Sequence, residues 1–269
     1  TMQDAISAPK IGGIVRLTKF SVQGTLFIEL LGMTAMLPVF FRDYGIKGIW
    51  MAAFHSVSAF CNAGFDILGF EKPDNSLIGY ANDPLVCIPV ALLIIVGGLG
   101  FIVIHNIYYA KLFPSLKKKK RLPLNLHSRV AICMTVALLV IGTVGFLAFE
   151  WNNTLEGKNF FQKLLVSFFQ STSARTAGFA SVDIASEHDI TKLLTVILMF
   201  IGAAPAGTGG GIKVTTFVVL VATVVSVMFG KEDTTLNHRR IVHYNRLDVG
   251  RLFCHRGYPC HKRPSNQRD

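Results

Sequence analysis

Two segments of the chain carry the same tripeptide, Ala63-Gly64-Phe65 and Ala177-Gly178-Phe179, at a spacing of 114 residues. Glycine adopts backbone angles that are closed to other residues, so the chain around it can turn consecutive carbonyl oxygens to one side. Rings of such oxygens replace the hydration shell of a cation that leaves water. The two segments therefore predict a cation pathway built from main-chain oxygens and not from a reactive side chain.

The predicted ion ligands are the backbone carbonyls of each tripeptide and of the residue before it. They form the first AGF segment (residues 62–65: Asn62, Ala63, Gly64 and Phe65) and the second AGF segment (residues 176–179: Thr176, Ala177, Gly178 and Phe179). Gly64 and Gly178 are the central residues of this prediction, because only glycine has the required backbone freedom.

Three charged residues near the predicted pathway have two interpretations each. Arg175 braces the second AGF segment through carbonyls or an acid such as Asp66, or it acts on the ion directly. Asp66 either raises the local cation concentration at the mouth or is a solvated loop acid. Lys213 either reaches a cytoplasmic vestibule or partner, or extends its charged end to the membrane interface.

The composition excludes most soluble protein classes. Apolar residues make up 51% of the chain, charged residues only 16%, and the mean hydropathy is +0.46. A soluble domain carries about 25% charged residues. The 21 Phe exclude a disordered chain, and the five scattered Cys exclude a disulfide scaffold. The sequence therefore predicts an all-α integral membrane protein.

Four apolar runs are long enough to cross a bilayer, which takes about 20 helical residues. They are Phe20–Phe41, Leu85–Ala110, Val130–Phe149 and Leu193–Gly230. The last run exceeds the membrane thickness and contains the glycine loop (residues 203–211: Ala203, Ala204, Pro205, Ala206, Gly207, Thr208, Gly209, Gly210 and Gly211). Because Pro and repeated Gly do not continue a helix, we expect two half-helices joined by a loop at membrane depth.

Two further apolar stretches, Ile49–Phe60 and Phe160–Ala174, are too short to span, and each ends just before an AGF segment. Each is either a re-entrant pore helix or an interfacial helix. The shared tripeptide at one spacing favours the pore helix, and with it a unit of span, pore helix, loop and span that occurs twice. The C-terminal end of each pore helix would then attract a cation through its partial negative charge.

Basic residues predict the topology. They concentrate in residues 1–19, 111–129 and 231–269, which we expect on the cytoplasmic side, so both short helices lie on the outer side. The predicted organisation is a span–pore–span repeat at 20–110, a basic linker at 111–129, a second repeat at 130–230 and a basic tail at 231–269. The net charge of +11 is explained by this topology without a nucleic-acid partner.

The run Lys117–Arg121 is either a solvated cytoplasmic loop or a contact to anionic lipid. Cys254-His255 and Cys260-His261 fit no strong zinc pattern. No catalytic dyad or phosphate-binding loop stands out, so an enzyme is not predicted. The competing hypothesis, a membrane scaffold or an intramembrane enzyme, would need a cluster of polar residues facing a cavity.

Three elements together resemble the Ktr/Trk/HKT superfamily of potassium transporters, specifically the membrane subunit of the bacterial Ktr type. They are SAFCNAGFD at 58–66, TSARTAGF at 172–179 and GTGGGIKVTTF at 207–217, and the resemblance extends over roughly residues 1–241. It implies four span–pore–span repeats around one pore, of which this chain holds the second and third, and residues 1–19 resemble the cytoplasmic end of the preceding repeat. It also implies that residues 203–211 form a gate under the selectivity filter.

The resemblance further implies potassium as the transported ion, sodium as a possible coupling ion, and no cofactor bound by this chain. The implied partners are the bilayer, a second copy of the subunit and a cytosolic nucleotide-binding ring, at the bacterial inner membrane. Residues from about 243 depart from the family, so we expect a fragment of a longer protein. The alternatives are a sodium-selective or non-selective transporter, or an inactive fragment.

Overall fold

The computed structural model describes residues 11–69, 76–108, 125–229, 235–236 and 239–240. Within these ranges the chain is helical, apart from one antiparallel pair of two-residue strands, so the predicted all-α class is confirmed. The elements are α1 (Ile11–Tyr44), α2 (Lys47–Phe60), α3 (Pro84–Leu99), α4 (Phe101–Ile107), α5 (Leu126–Phe149), α6 (Phe160–Ser173), α7 (Asp189–Phe200), α8 (Val214–Met228), β1 (Thr235–Leu236) and β2 (Arg239–Arg240).

Two helices are long and apolar enough to cross a membrane, by length and composition. They are Thr18–Tyr44, which is the larger part of α1, and Leu126–Phe149, which is α5. Both contain the runs expected from the sequence and extend beyond them. Many large apolar side chains on these helices are exposed, among them Phe27 and Ile141. Exposed apolar helix faces suit a lipid environment.

The run Leu85–Ala110 was expected to form one span, and the structure divides it. Helices α3 and α4 meet at Gly100 with a bend of 95°, so they make a third span only if the bent pair counts as one. Gly100 has φ +78°, and a Cβ on it would lie 2.7 Å from the amide nitrogen of Gly207. The bend therefore accommodates a close approach of the glycine loop, which an apolar sequence pattern does not reveal.

The expected break in the last apolar run is confirmed. Helix α7 ends at Phe200, α8 begins at Val214, and the residues between them are not helical. A single parallel bridge between Ile201 and Ile212 closes the base of this connection. The glycine loop is thus held at its two ends by main-chain pairing, while its Pro and Gly residues prevent a continuous helix.

The two short helices are α2 and α6, each 14 residues long. Helix α2 packs against α1 and α3, α6 packs against α5, and α6 also contacts α3. Phe169 and Phe179 are buried in the same core cluster as Phe40 and Phe60. The two predicted repeats therefore pack against each other through this cluster, and a second cluster joins Val103 to residues of the second repeat.

Among the described residues, those up to Phe217 form one compact unit, and those from Val218 form a second. The second unit contains the rest of α8 and the β1–β2 pair, in which Thr235 faces Arg240. Several predicted features lie outside the described residues: most of the basic linker with Lys117–Arg121, and the Cys254 and Cys260 region of the tail.

Candidate functional site

The backbone of the two AGF segments follows the same course. Asn62 and Gly64 have φ of +51° and +71°, and Thr176 and Gly178, at the same spacing of 114 residues, have φ of +70° and +92°. A positive φ is uncommon for residues other than glycine. The repeat detected from the tripeptide therefore extends to the backbone conformation. It includes the positive φ of Asn62 and Thr176, which the sequence did not predict.

The two AGF segments lie against each other. A Cβ on Gly64 would overlap the carbonyl oxygen of Ala177 and lie 2.8 Å from the Cα of Gly178. A Cβ on Gly178 would lie 3.3 Å from the Cα of Gly64. The structure thus brings together the two glycines that the sequence singled out, and no side chain fits between their backbones.

A hydroxyl group near the end of each short helix fixes the end of its AGF segment. The Oγ of Ser58 donates to the carbonyl of Phe65 at 2.7 Å, and the Oγ of Ser173 donates to the carbonyl of Phe179. These two carbonyls are therefore held by the helices α2 and α6. The phenyl rings differ, since Phe179 is buried and Phe65 is 69% exposed.

The glycine loop contacts both AGF segments. A Cβ on Gly209 would lie 2.9 Å from the side-chain amide of Asn62 and 2.9 Å from the Oγ1 of Thr176. The amide nitrogen of Gly210 donates to the Oγ1 of Thr176 at 2.9 Å. The two non-glycine residues with positive φ are therefore the ones that contact the loop.

The bend between α3 and α4 anchors the other side of the glycine loop. The amide of Ala204 donates to the carbonyl of Gly98 at 2.9 Å, and the amide of Thr208 donates to the carbonyl of Gly97 at 3.1 Å. The Oγ1 of Thr208 also donates to the carbonyl of Phe60, at the end of α2, at 2.9 Å. Carbonyls in the last turn of a helix lack partners within the helix, and the loop supplies them.

The predicted supporting charges have defined partners. Arg175, only 6% exposed, donates from Nη2 to the carbonyl of Gly202 at 3.3 Å. Lys213 donates from Nζ to the carbonyl of Gly209 at 2.7 Å. Asp66 accepts from the amide of Leu68 at 3.0 Å and is not hydrogen-bonded to Arg175 in the described part of the chain. Of the partners considered for Arg175, the structure places a carbonyl next to it.

Sequence reasoning missed the residues whose hydrogen bonds hold the glycine loop and the buried pair that lies next to the second AGF segment. Gly97 and Gly98 anchor the glycine loop through their carbonyls, and Gln170 and Glu187 form a buried pair beside the second AGF segment. Gly97-Gly98-Leu99-Gly100 inside an apolar run was an available signal for the anchor. Nothing in the local sequence links Gln170 to Glu187.

The described part of the chain contains no group of three or more His, Cys, Asp or Glu side chains that could hold a metal ion. The polar atoms around the AGF segments are mainly backbone carbonyls, amides and hydroxyls. Such an arrangement suits a weakly held alkali cation better than a tightly bound transition metal or a catalytic centre.

The family described as "TrkH: Cation transport protein" matches residues 3–248. The chain is 35% identical over 243 residues to "Ktr system potassium uptake protein B" of Bacillus subtilis, covering 89% of this chain and 52% of that protein. It is 37% identical over 232 residues to "Potassium/sodium uptake protein NtpJ" of Enterococcus hirae, covering 86% and 49%. The chain therefore spans about half the length of the curated relatives it matches.

The fold is also similar to the crystal structure of the potassium transporter TrkH from Vibrio parahaemolyticus. The TM-score is 0.63 at 18% identity, and the match covers 92% of this chain and 49% of that one. At this identity the likeness concerns the fold. The names of these relatives describe transport proteins and not enzymes.

Proposed function

The chain belongs to the TrkH family of cation transport proteins, and from that premise we propose that it contributes to potassium uptake across the bacterial plasma membrane. The names of two matched relatives include potassium uptake. The long apolar helices α1 and α5 suit a multi-pass membrane protein. The substrate is an alkali cation, and no cofactor is needed to move it.

The observation that carries this proposal is the contact between the two AGF segments. Gly64 and Gly178 have matched positive φ, and their backbones approach within the distance that only glycine allows. Helix α2 ends just before the first AGF segment and helix α6 just before the second. The C-termini of both helices are therefore directed toward the same place. We propose that the carbonyls of residues 62–65 and 176–179 form two sides of a selectivity filter.

The glycine loop is proposed as the gate of this pathway. It contacts Asn62 and Thr176 and is held by hydrogen bonds to the carbonyls of Gly97, Gly98 and Phe60. Opening requires these bonds to break or exchange, and each contributes about 1 kcal/mol. Glycine lowers the barrier to such a change because several backbone conformations are open to it.

Arg175 and Lys213 are proposed to support the loop and not to bind the ion. Arg175 is bonded to the carbonyl of Gly202, just before the loop, and Lys213 to the carbonyl of Gly209 within it. The positive charges of these two side chains lower the electrostatic free energy of carbonyl oxygens that lie close together near the filter. Asp66, bonded to a nearby amide, is proposed as a mouth residue that attracts cations.

The complete transporter is proposed to contain more sides of the filter than this chain provides. The chain matches about half of each relative, and two filter segments do not enclose an ion. By the resemblance, the assembly is a homodimer of membrane subunits on a cytosolic nucleotide-binding ring, with sodium as a candidate coupling ion.

The test replaces the matched segment of the Bacillus subtilis relative with residues 11–229 and measures rubidium and potassium uptake in a strain that lacks its own uptake systems. Gly64→Ala is expected to abolish uptake, because the added methyl group overlaps the Ala177 carbonyl. Gly157→Ala is the matched control, since Gly157 also has φ of +73° but nothing lies within 4 Å of its Cβ position. Unchanged uptake with Gly64→Ala would contradict the filter assignment.

Sodium transport is the second candidate, because one relative is named a potassium/sodium uptake protein. The same grafted transporter distinguishes the two. Potassium selectivity predicts rubidium uptake that excess sodium does not inhibit, and a non-selective filter predicts inhibition by excess sodium. A sodium-selective filter predicts sodium uptake without rubidium uptake.

A further inference from the structure

A buried polar network lies behind the second AGF segment. The Oε1 of Gln170 on α6 accepts from both the amide and the Oγ of Ser181 at 3.4 Å, two residues after Phe179. The Nε2 of the same amide donates to the Oε1 of Glu187 at 3.3 Å. Gln170 and Glu187 are each 4% exposed. One side-chain amide therefore links the chain that leaves the AGF segment to a buried carboxyl group.

The two buried carboxyl groups of this region are bonded very differently. Glu150 accepts from the amide of His188, the hydroxyl of Thr191, the side chain of Asn153, and the amide and hydroxyl of Thr154. Glu187 accepts from Gln170 through Oε1, and its Oε2 has no hydrogen-bond partner among the described residues. Glu150 is thus stabilised as a carboxylate, whereas Glu187 is not.

The surroundings of Glu187 bring its ionisation into the physiological range. Burial, with repulsion from Glu150 and a smaller contribution from Asp183, raises the pKa of Glu187 to about 7, against the opposing effects of Lys192 and the Gln170 bond. Burial acts to raise the pKa of Glu150 too, but the hydrogen bonds listed above outweigh it and the pKa is lowered. Glu187 is therefore the carboxyl group of the pair that changes charge near neutral pH.

We propose that Glu187 is a positioning residue for the second AGF segment, and that its charge state sets how firmly Gln170 holds Ser181. The effect of this contact on transport rests on the proposed function. An ionised Glu187 makes the bond from Gln170 charge-assisted and polarises the amide, so that its carbonyl accepts more strongly from Ser181. Protonation removes that assistance and loosens the outer end of the segment.

Among the described residues, the first repeat has no equivalent of the Gln170–Glu187 pair. The residue matched to Gln170 at the spacing of 114 is Ser56, whose Oγ donates to the carbonyl of Glu29 at 2.6 Å. The residue matched to Glu187 is Pro73, which has no titratable group and lies outside the described residues. Acidification is therefore expected to affect one AGF segment and not the other.

The first test measures hydrogen exchange of the amides of residues 180–182 in the intact chain, corrected for the intrinsic effect of pH. We expect about 1.5-fold more protection at pH 8 than at pH 6, because the polarised Gln170 carbonyl strengthens its neutral bond to Ser181 by only about 10–30%. Glu187→Gln, which keeps the shape but does not titrate, is expected to remove this difference. Glu156→Gln, at an exposed acid of the same outer region, is expected to retain it.

An unchanged pH difference in Glu187→Gln would overturn the proposal. A second measurement does not depend on a variant: infrared difference spectra of the wild-type chain, with carboxyl-labelled glutamate, are expected to detect a carboxyl group that protonates between pH 8 and pH 6. A spectrum in which no glutamate titrates over that interval would also overturn it.

Uptake by the grafted transporter separates this inference from the proposed function. Glu187→Gln is expected to retain uptake but lose its dependence on external pH between 6 and 8, while Gly64→Ala loses uptake at every pH. Absent wild-type uptake with an intact exchange difference would contradict the transport function alone. A transporter whose pH dependence is the same in wild type and Glu187→Gln would contradict the role of Glu187 alone.

Discussion

The two repeats share a plan and differ in how the second span is broken. In the first repeat the break is a bend at one residue, Gly100, and in the second it is the non-helical connection between Phe200 and Val214. The bend supplies carbonyl acceptors, and the loop supplies the amides that fill them. The two predicted repeats are therefore complementary at the points where their second spans break.

The residue that precedes each AGF segment differs in the same way. Cys61 is exposed, whereas its counterpart Arg175 is buried and bonded to the carbonyl of Gly202. The buried cation at this position therefore occurs in the repeat whose second span contains the glycine loop. The following predictions test this asymmetry, beginning with the largest expected effect.

The bend itself is tested by two neighbouring glycines. A Cβ on Gly97 would overlap the carbonyl of Phe60 and lie 2.8 Å from the Oγ1 of Thr208, so Gly97→Ala is expected to cost roughly 2–3 kcal/mol in the free energy of unfolding. At Gly98 the nearest atom would be 3.5 Å away, so Gly98→Ala is expected to be neutral or slightly stabilising. Thermal unfolding in detergent measures both. Equal effects would mean that the bend does not fit the loop closely.

The buried cation is tested by Arg175→Met against Cys61→Ser. Removing the guanidinium leaves the Gly202 carbonyl without this donor in a buried site, at a cost of about 2 kcal/mol. Cys61 is exposed, so its substitution is expected to change stability by about 0.5 kcal/mol or less. Denaturant titrations of the two variants give the comparison. A larger loss for Cys61→Ser would reverse the assignment of which repeat needs support.

The buried acid Glu187 of the second repeat predicts a pH-dependent stability. Because the pKa of Glu187 is about 7 in the folded chain, above its ordinary value of 4.5, the folded state holds the proton more tightly and ionisation costs stability. Glu187→Gln is therefore expected to stabilise the chain by roughly 1–2 kcal/mol at pH 8, with the gain declining as the pH falls toward 4.5. Unfolding curves across this range measure the gain, and a gain that grew on acidification would contradict the sign.

The smallest expected effect concerns the hydroxyl that joins the loop to the first repeat. Thr208→Val removes the bond to the Phe60 carbonyl and is expected to cost about 1 kcal/mol and to raise basal flux in the grafted transporter. Thr34→Val is the control, since the hydroxyl of Thr34 is exposed and bonds within its own helix. Lower flux from a folded Thr208 variant would argue that this bond favours the open state.

The sequence predicted the elements better than their contacts. The spans around Phe20–Phe41 and Val130–Phe149, both short helices and the break at 203–211 follow from apolar run length and from the backbone preferences of Pro and Gly. The bend at Gly100 was not predicted, because glycine within a long apolar run is compatible with a continuous span. Orientation in the membrane and the roles of the AGF carbonyls remain predictions.

The sequence by itself determined the membrane class, the duplication and the positions of Gly64 and Gly178, because composition, spacing and local backbone freedom need no knowledge of distant contacts. Only the tertiary structure decided that these glycines touch, that Gly209 lies between Asn62 and Thr176, and that Gln170 joins Ser181 to Glu187. Most of these contacts join residues far apart in the chain. Packing of residues from both repeats in shared core clusters, and not any local preference, therefore brings them together.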